Sequence, residues 1–309
     1  MARPPRNPQI PMREGVSPSL VALPAGPWPT VLDFLSERLP TVSAQDWAER
    51  IANGQVLHED NRPVQPGEPY ASGQRLYYYR SLGQEPDLPE HETIVFEDAH
   101  LLVADKPHFM PVTPSGQYVQ QSLLVRLKRR TGCADLSPIH RIDRETAGLV
   151  MFSKRPQDRN AYQALFRERQ VDKAYEAVAA SPKQLSLPCV HRSRLEEDVQ
   201  FFRMREVPGT PNSETQVRLL REAGPLALYG LSPLTGKRHQ LRVHMWALGV
   251  PIEGDQFYPV VRRGPGAPED FRQPLQLLAR RVAFTDPVTG QARCFTSQRQ
   301  LALAGELSP

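Results

Sequence analysis

The sequence has only three cysteines, and Cys133, Cys189 and Cys294 lie far apart without a Cys-x-x-Cys pair. This scarcity argues against a disulfide framework and a cysteine-ligated zinc site, and it is typical of proteins from a reducing compartment. No apolar run reaches the roughly 18 residues that a membrane-spanning helix needs. Residues 1–6 lack the apolar core of a secretion signal. We therefore expect a soluble, cytoplasmic protein with no membrane partner.

The charge of the chain is only slightly positive. There are 38 lysines and arginines against 34 aspartates and glutamates, which gives a net charge of +4. Arginine is much the commoner cation, and guanidinium groups bind phosphates and stack on bases well. This bias is consistent with a nucleic-acid partner, and it is equally consistent with genome composition. At 309 residues, the chain is long enough for one large and one smaller domain.

Residues 1–26 are rich in proline and carry Arg3, Arg6 and Arg13. Because proline fixes φ and removes a backbone donor, we expect no helix and no central strand here. A flexible basic arm that touches phosphates and an inert tail are both consistent with this composition.

Residues 27–81 predict a small module of two helices followed by two strands. Ser43 precedes the second helix, and Asn53-Gly54 ends it in the way that a left-handed cap requires. The expected elements are helices over 31–39 and 44–52 and strands over 55–58 and 75–80. Residues 82–92, which contain glycine and proline, predict a linker.

This order of elements resembles the S4-type RNA-binding module. Such modules usually carry a basic residue just after the serine that opens the second helix. The chain has Ala44-Gln45-Asp46 there instead. Contact with RNA and a purely structural packing role therefore both stay open for residues 27–81.

Asp143 lies between Arg141 and Arg144, in a segment that continues through Thr146-Ala147-Gly148 into an apolar strand. Flanking guanidinium groups keep a carboxylate ionised. Such a carboxylate can act as a nucleophile or a base at neutral pH without a metal ion. An Arg-x-Asp-Arg run is also typical of a solvated surface ion network, so the pattern needs support from elsewhere in the chain.

That support comes from two motifs farther along the chain. Residues 171–178 read Val-Asp-Lys-Ala-Tyr-Glu-Ala-Val, and residues 234–244 read Leu-Thr-Gly-Lys-Arg-His-Gln-Leu-Arg-Val-His before the Gly-Val-Pro-Ile-Glu-Gly-Asp segment at 249–255. In this order, the motifs resemble the RluA-type family of RNA pseudouridine synthases over roughly residues 93–300. Each motif alone would be weak, and three in order make the resemblance specific.

The resemblance implies an RNA pseudouridine synthase that isomerises uridine at specific positions in ribosomal or transfer RNA. The reaction exchanges one glycosidic bond for another, so we expect no cofactor. We expect an α+β catalytic domain over 93–300, with a mixed, largely antiparallel sheet, because strands outnumber helices and mostly adjoin each other. Residues 301–309 are expected to form a tail, and no spare apolar helix face suggests more than a monomer.

The same resemblance assigns roles to individual residues. Asp143 would be the catalytic carboxylate, Tyr175 would lie against the target base, and Arg242 would be the basic partner of Asp143. Arg141 would help to displace the target nucleotide, while Arg144 would either bind substrate or brace the loop. His140 and Leu241, which adjoin these residues in the same motifs, are the remaining candidates for substrate binding.

Some residues near the motifs carry further expectations. Lys106 follows a strand at 101–104 and reads more readily as a surface lysine than as a phosphate contact, and residues 181–213 read as loops with short strands. His140, His239 and His244 lack an acidic ligand at suitable spacing, so we expect no metal site. The family usually has serine and histidine at two positions where this chain has Ala147 and Leu278.

Two other functions remain to be weighed. One is a non-catalytic RNA-binding or ribosome-assembly factor on the same scaffold, although the presence of Asp143, Tyr175 and Arg242 argues against it. The other is a carboxylate-dependent hydrolase, and it is disfavoured because no second acid is paired with Asp143 by motif.

Overall fold

A computed structural model describes residues 7, 9–79, 85–200, 202–264, 267 and 270–307 of the chain. The chain divides into two compact units. The first takes in the described residues up to Glu85 together with 116–120 and 125–134, and the second takes in the rest. The two short segments differ from the prediction, which placed all of 93–300 in one domain. Residues 1–6 and 8 of the predicted arm lie outside the described residues, as do residues 82–84 of the predicted linker.

The helices of the first unit begin and end close to where the sequence predicts. Helix α1 spans Val31–Arg38 and begins with a capping box: the Thr30 side chain accepts from the Asp33 amide, and the Asp33 side chain accepts from the Thr30 amide. Helix α2 spans Ala44–Ala52, and the Ser43 side chain accepts from the Asp46 amide at its start. Gly54 follows α2 with φ of 63°, as the predicted left-handed cap requires.

A three-stranded antiparallel sheet completes the first unit. Its strands are β1 (Ser19–Ala22), β2 (Val56–His58) and β3 (Arg75–Tyr78), in the order β1-β3-β2. The part of the predicted arm that the structure describes is therefore built into the fold. Ile10, Val16 and Leu23 are buried there. Each belongs to a different apolar cluster: Ile10 packs with residues of β2 and β3, Val16 packs with Val119 and Val125, and Leu23 lies in the core between the helices and the sheet.

The second unit is built on a single large sheet. Helix α3 (Leu123–Thr131) begins in this unit, and its residues from Val125 onward group with the first unit. Helices α4 (Arg159–Arg167) and α5 (Gln240–Ala247) belong to the second unit. Its strands are β4 (Thr93–Glu97), β5 (Leu101–Lys106), β6 (Ser137–Pro138), β7 (Ala147–Ser153), β8 (Asp172–Ala180), β9 (Cys189–Glu197), β10 (Met204–Val207), β11 (Ser213–Ala223), β12 (Leu226–Pro233), β13 (Leu277–Thr285) and β14 (Ala292–Thr296).

The order along the sheet is β10-β9-β11-β12-β8-β13-β7-β5-β4, with β14 paired to β13 and β6 paired to β7. Among the described strand pairs, β7 with β13 is parallel and the others are antiparallel. The predicted α+β class with a mixed, largely antiparallel sheet is therefore confirmed. Strands β11 and β12 form an antiparallel hairpin. Residues 181–213 contain loops and strands as predicted, but β9 is longer than the short strands expected there, with nine residues against four in β10.

The ends of the chain and the helix faces complete the second unit. Leu241 and Met245 of α5 enter a buried cluster on the sheet, with Leu248 packed against it. The segment predicted as a tail contains a 3-10 helix, Ala302–Leu307, and Leu301 before it is buried. In the part of the chain that the structure describes, no helix is long and apolar enough to cross a bilayer.

Three residues on neighbouring strands form a row where the chemical motifs meet. Gly148 of β7 lies opposite Ala279 of β13, and Ala279 lies opposite Tyr175 of β8. Gly148 has φ of 110°, and a Cβ atom there would lie 2.3 Å from the Ala279 carbonyl oxygen. Only glycine therefore fits the close approach that brings the strand after Asp143 beside the strand of Tyr175.

Gly148→Ala is expected to lower the free energy of unfolding by at least about 2 kcal/mol, because backbone strain and a steric clash act together. The measurement is chemical denaturation followed by circular dichroism. Gly290→Ala is the matched control, since Gly290 also has positive φ but no atom within 4 Å of the added methyl. We expect it to cost only about 1 kcal/mol. Equal losses for the two variants would show that the contact with Ala279 is unimportant.

Candidate active site

The loop that carries Asp143 joins β6 to β7 and is held from behind by a buried lysine. The Thr146 amide donates to the Asp143 carbonyl oxygen at 3.2 Å, which closes the turn. The Lys106 ammonium donates to the carbonyl oxygens of Pro107 at 2.9 Å and Arg144 at 3.0 Å. Lys106 is fully buried, so the expectation of a surface lysine is wrong. Strand β5 continues through Lys106 and carries it under the loop.

Arg242, on α5, connects the loop to a segment that follows the helix. Its Nε and Nη2 atoms donate to the two carboxylate oxygens of Asp255 at 2.8 and 2.7 Å. Its Nη1 atom lies 3.5 Å from Oδ2 of Asp143 and 3.6 Å from Oε2 of Glu145. The guanidinium also lies 5.0 Å from the centroid of the Phe257 ring. The tight partner of Arg242 is thus Asp255, and Asp143 takes the remaining edge of the guanidinium.

The electrostatics of Arg242 follow from this arrangement. Its side chain has no exposed surface, whereas that of Asp143 is 23% exposed. Burial lowers the pKa of Arg242, but the carboxylates of Asp255, Asp143 and Glu145 outweigh burial and raise the pKa above its ordinary value. Arg242 is therefore a fixed positive charge. Asp255 is itself held in place by the amides of Phe257 at 2.8 Å and Tyr258 at 3.1 Å.

Glu145 is a buried acid that the motifs did not single out. Its carboxylate accepts from Nε and Nη2 of Arg144 at 3.1 and 2.9 Å. Its carbonyl oxygen lies 2.7 Å from Nδ1 of His108. Burial raises the pKa of Glu145, but Arg242 and Arg144 outweigh burial and lower the pKa to about 2. Arg144 accordingly braces the loop, which was one of its two predicted roles.

An open cleft brings the predicted catalytic residues together. Asp143, Tyr175 and Arg242 all line it, and so do Arg141 and Leu241. Burial, and then the nearby Asp143 carboxylate, raise the pKa of the Tyr175 phenol, which stays protonated at neutral pH. The remaining residues of the lining are Ile142, Thr146, Lys173, Pro233, Thr235, Gly236, Lys237, His239, Gln240 and Leu277.

His140 does not belong to this cleft. Its Nε2 atom accepts from the Met151 amide at 3.1 Å, and its ring stacks on Phe166 with centroids 4.5 Å apart. Burial, followed by the charge of Lys173, lowers the pKa of His140 to about 3. His140 instead lines a small neighbouring hollow with Lys173 and Tyr175, and its role in substrate binding stays a prediction. In this fold, the side chain of the residue before Arg141 faces the strands and α4 rather than the cleft.

The histidines considered for a metal site have separate surroundings. His239 lies 3.0 Å from the Tyr258 hydroxyl. His244 has ligand-capable atoms within 4.8 Å of those of His191 and Glu206. Both nitrogens of His244 are within 3.1 Å of hydroxyl groups on β9 and β11, and Glu206 lies 2.7 Å from His191. Among the described residues, His191, Glu206 and His244 have ligand atoms close enough together to bind a cation. Hydrogen bonds already engage the ring nitrogens of His244 and join His191 to Glu206.

The two departures from the family pattern lie side by side. Ala147 and Leu278 are directly opposite each other in the parallel pairing of β7 with β13. Both are buried in one apolar cluster that includes Val178, Leu228 and Leu301. A small and a large apolar side chain thus occupy neighbouring positions where the family usually has two polar ones. The contact stabilises the base of the loop without polar groups that need partners.

Arg242→Met is expected to lower the free energy of unfolding by about 3–5 kcal/mol, because it leaves Asp255 buried without its cation. Arg192→Met is the matched control: Arg192 is 58% exposed in its pair with Glu214, and its loss should cost less than about 1 kcal/mol. Chemical denaturation of both variants provides the test. A loss at Arg242 as small as that at Arg192 would contradict the buried network.

Lys106 provides a pH-dependent test of the same network. Burial lowers the pKa of Lys106 from 10.5 to about 7, against the opposing charges of Glu145 and Asp143. Between pH 7 and 9, the unfolded chain therefore holds more protons at this residue than the folded chain. The free energy of unfolding of the wild type should rise with pH in this range relative to that of Lys106→Met. Denaturation curves at pH 7, 8 and 9 measure the difference, and parallel pH profiles of the two proteins would contradict it.

Comparison with known proteins identifies the family to which the chain belongs. Residues 100–247 match the family described as RNA pseudouridylate synthase. An uncharacterized RNA pseudouridine synthase from Synechocystis is 30% identical over 246 residues, which cover 76% of this chain and 80% of that protein. The dual-specificity RNA pseudouridine synthase RluA of Pasteurella multocida is 30% identical over 224 residues, which cover 70% of this chain and 97% of that protein.

A solved structure shows that the fold is shared as well. Human RNA Pseudouridylate Synthase Domain Containing 1 matches with a TM-score of 0.56 and 23% sequence identity, over 72% of this chain and 89% of that chain. With the sequence relatives, the fold and the cleft of Asp143, Tyr175 and Arg242 in agreement, the chain belongs to the RluA-type RNA pseudouridine synthases, a family of isomerases.

Proposed function

We propose that this enzyme isomerises uridine to pseudouridine at specific positions in ribosomal or transfer RNA, with Asp143 as the catalytic carboxylate. The observation that carries the proposal is the single cleft in which the Asp143 carboxylate, the Tyr175 ring and the Arg242 guanidinium meet. The names of similar proteins support an RNA substrate of this kind. Relatives include the ribosomal large subunit pseudouridine synthase C of Vibrio cholerae, 34% identical over 166 residues.

The reaction imposes three requirements on the cleft. The N-glycosidic bond must break, the uracil must stay bound and rotate, and C5 must join the sugar carbon. Asp143 supplies a charged carboxylate, acting either on the sugar or on one of its protons. Nη1 of Arg242 lies 3.5 Å from this carboxylate, so the charge has a fixed partner. Because Asp255 holds the other edge of Arg242, the guanidinium cannot turn away while charge develops on the substrate.

Tyr175 is the surface on which the free uracil would rest. Its strand, β8, is paired on both sides by β12 and β13, which makes the ring a rigid support. An aromatic face holds a planar base by stacking while leaving it free to rotate in its plane. The phenol stays protonated at neutral pH, so its hydroxyl group is a proton donor close to C5 rather than a base.

The other cleft residues would position the nucleotide. Arg141 is exposed at the rim, where a planar cation can replace the target base in its stack and offset part of the few kcal/mol that unstacking costs. Leu241 adds an apolar wall beside Arg242. Arg144 acts through the loop by its bonds to Glu145. The bound nucleotide would have to displace water from the cleft, because water would otherwise trap the separated sugar as an abasic site.

Other features of the protein remain proposals at the same level. We propose that the enzyme acts as a monomer in the cytoplasm and without a cofactor, since the isomerisation involves no redox change and no external group. After strand β1, the first unit has the helix–helix–strand–strand order of an S4-type module. The test of its role compares the RNA affinity of the full chain with that of a chain lacking this unit. A weaker affinity without the unit would show that the unit binds RNA, and an equal affinity would show a packing role.

Asp143→Asn is expected to reduce turnover by at least about three orders of magnitude, because the amide cannot act as nucleophile or base. The C5 hydrogen of uridine leaves when C5 joins the sugar. Ribosomal and transfer RNA transcripts carrying tritium at C5 therefore release it to water once per event. RNA binding by Asp143→Asn should stay within about threefold of the wild type.

Lys183→Gln, an exposed change on the connection between β8 and β9, serves as the matched control and should turn over normally. Normal turnover by Asp143→Asn would contradict the assignment of the carboxylate. RNA binding by the wild type with no tritium release from either class of transcript would instead favour the non-catalytic assembly factor.

A further inference from the structure

Lys173 is a cation in the cleft without an acidic partner. Its ammonium donates to the Thr235 carbonyl oxygen at 3.4 Å, near the outer limit for a hydrogen bond. Within the described residues, no carboxylate lies within 4.0 Å of it, and the residue is only partly exposed. Burial and the neighbouring charge of Arg169 lower the pKa of Lys173 below its ordinary value. A partly buried ammonium in this setting is satisfied best when an anion enters the cleft.

The acids nearest to Lys173 along β8 are already engaged. Asp172 pairs with Arg281, and Glu176 pairs with Arg280 at 2.6 Å. The acid of the cleft, Asp143, pairs with Arg242. Each of these carboxylates thus has a guanidinium of its own, and Lys173 stands outside the ion pairs of the described chain.

The other cations beside Lys173 have the same property. Arg141 and Lys237 line the cleft with it, and Arg169 is close enough to lower its pKa. None of these three takes part in an ion pair among the described side chains. Their positive charges therefore add in one place, which creates a local field suited to an anion.

The position of Lys173 on the strand identifies the anion. Lys173 and Tyr175 are two residues apart on β8, so their side chains leave the same face of the sheet about 7 Å apart. A uracil resting on the Tyr175 ring places the sugar and phosphate of the same nucleotide over the neighbouring position. Uracil is neutral, and the phosphodiester is the anion that an RNA substrate carries.

On the basis of the proposed function, we propose that Lys173 binds the phosphodiester that flanks the target uridine, and that Lys237, which lines the same cleft, completes this phosphate subsite. The subsite fixes the nucleotide by its backbone while the base is free to turn on Tyr175. This explains how the uracil can rotate without loss of the substrate from the cleft. Lys173 is then a substrate-binding residue, with no part in proton transfer.

The test is the salt dependence of RNA binding by Lys173→Gln. Binding is measured in an Asp143→Asn background so that the RNA stays unconverted, with unmodified ribosomal and transfer RNA transcripts as probes. We expect Kd to rise roughly 10- to 100-fold at low salt, as for a lost hydrogen bond between charged groups. The slope of log Kd against log salt should fall by about 0.7–0.9, the value for one phosphate contact. Lys173→Arg should keep most of the slope.

Two comparisons make the result decisive. Lys183→Gln removes the same charge from an exposed site of the same unit, and it should leave Kd and the slope unchanged. Lys173→Met serves as a second neutral variant, and circular dichroism establishes that each variant is folded. An unchanged slope for both neutral variants would overturn the phosphate subsite. It would also be overturned if Lys173→Gln with Asp143 intact released tritium more slowly while Kd in the Asp143→Asn background did not change, because Lys173 would then contact the uracil instead. Absence of tritium release by the wild type would contradict the proposed function but leave the binding comparison valid.

Discussion

The Arg242 guanidinium lies fully buried among three carboxylates, and the geometry of the active site depends on how its edges are shared. Asp255 takes the Nε and Nη2 edge in two short bonds, while Nη1 faces Asp143 and Glu145 at longer distances. A bidentate pair fixes the plane of a guanidinium as well as its position. A buried ion pair contributes little net stability, so its value here lies in orientation. The Asp143 carboxylate, which we propose to be catalytic, thus faces a cation that cannot rotate.

The sheet supplies the second part of the geometry, because the site is assembled from segments far apart in the chain. Strand β13 lies between β7 and β8 and brings the end of the Asp143 loop beside Tyr175. Gly148 is needed where these backbones approach most closely. Ala147 and Leu278 pack against each other at the same place. The base of the loop is therefore held by apolar contact, whereas its tip is held by charge.

The sequence predicted the local elements and the cleft well, because these depend on short-range signals. Ser43 and Gly54 mark the ends of α2 through caps, and the motif order placed Asp143, Tyr175 and Arg242 together. What it missed depends on long-range packing. Lys106 sits under the loop only because β5 runs two residues past its apolar core, and Asp255 becomes the main partner of Arg242 only once the chain after α5 folds back. Hydrophobic periodicity carries no information about either event.

The most direct test of the role of Arg242 is the rate of tritium release by Asp255→Asn with saturating RNA. Asp255 lies behind Arg242 and is absent from the cleft lining, so its loss should affect catalysis only through the guanidinium. We expect kcat of Asp255→Asn to fall about 10- to 100-fold. The Kd for RNA should change less than about twofold, and the variant should keep its native circular dichroism spectrum. A folded Asp255→Asn enzyme with wild-type kcat would contradict the proposal that Asp255, by holding Arg242, orients the Asp143 carboxylate for catalysis.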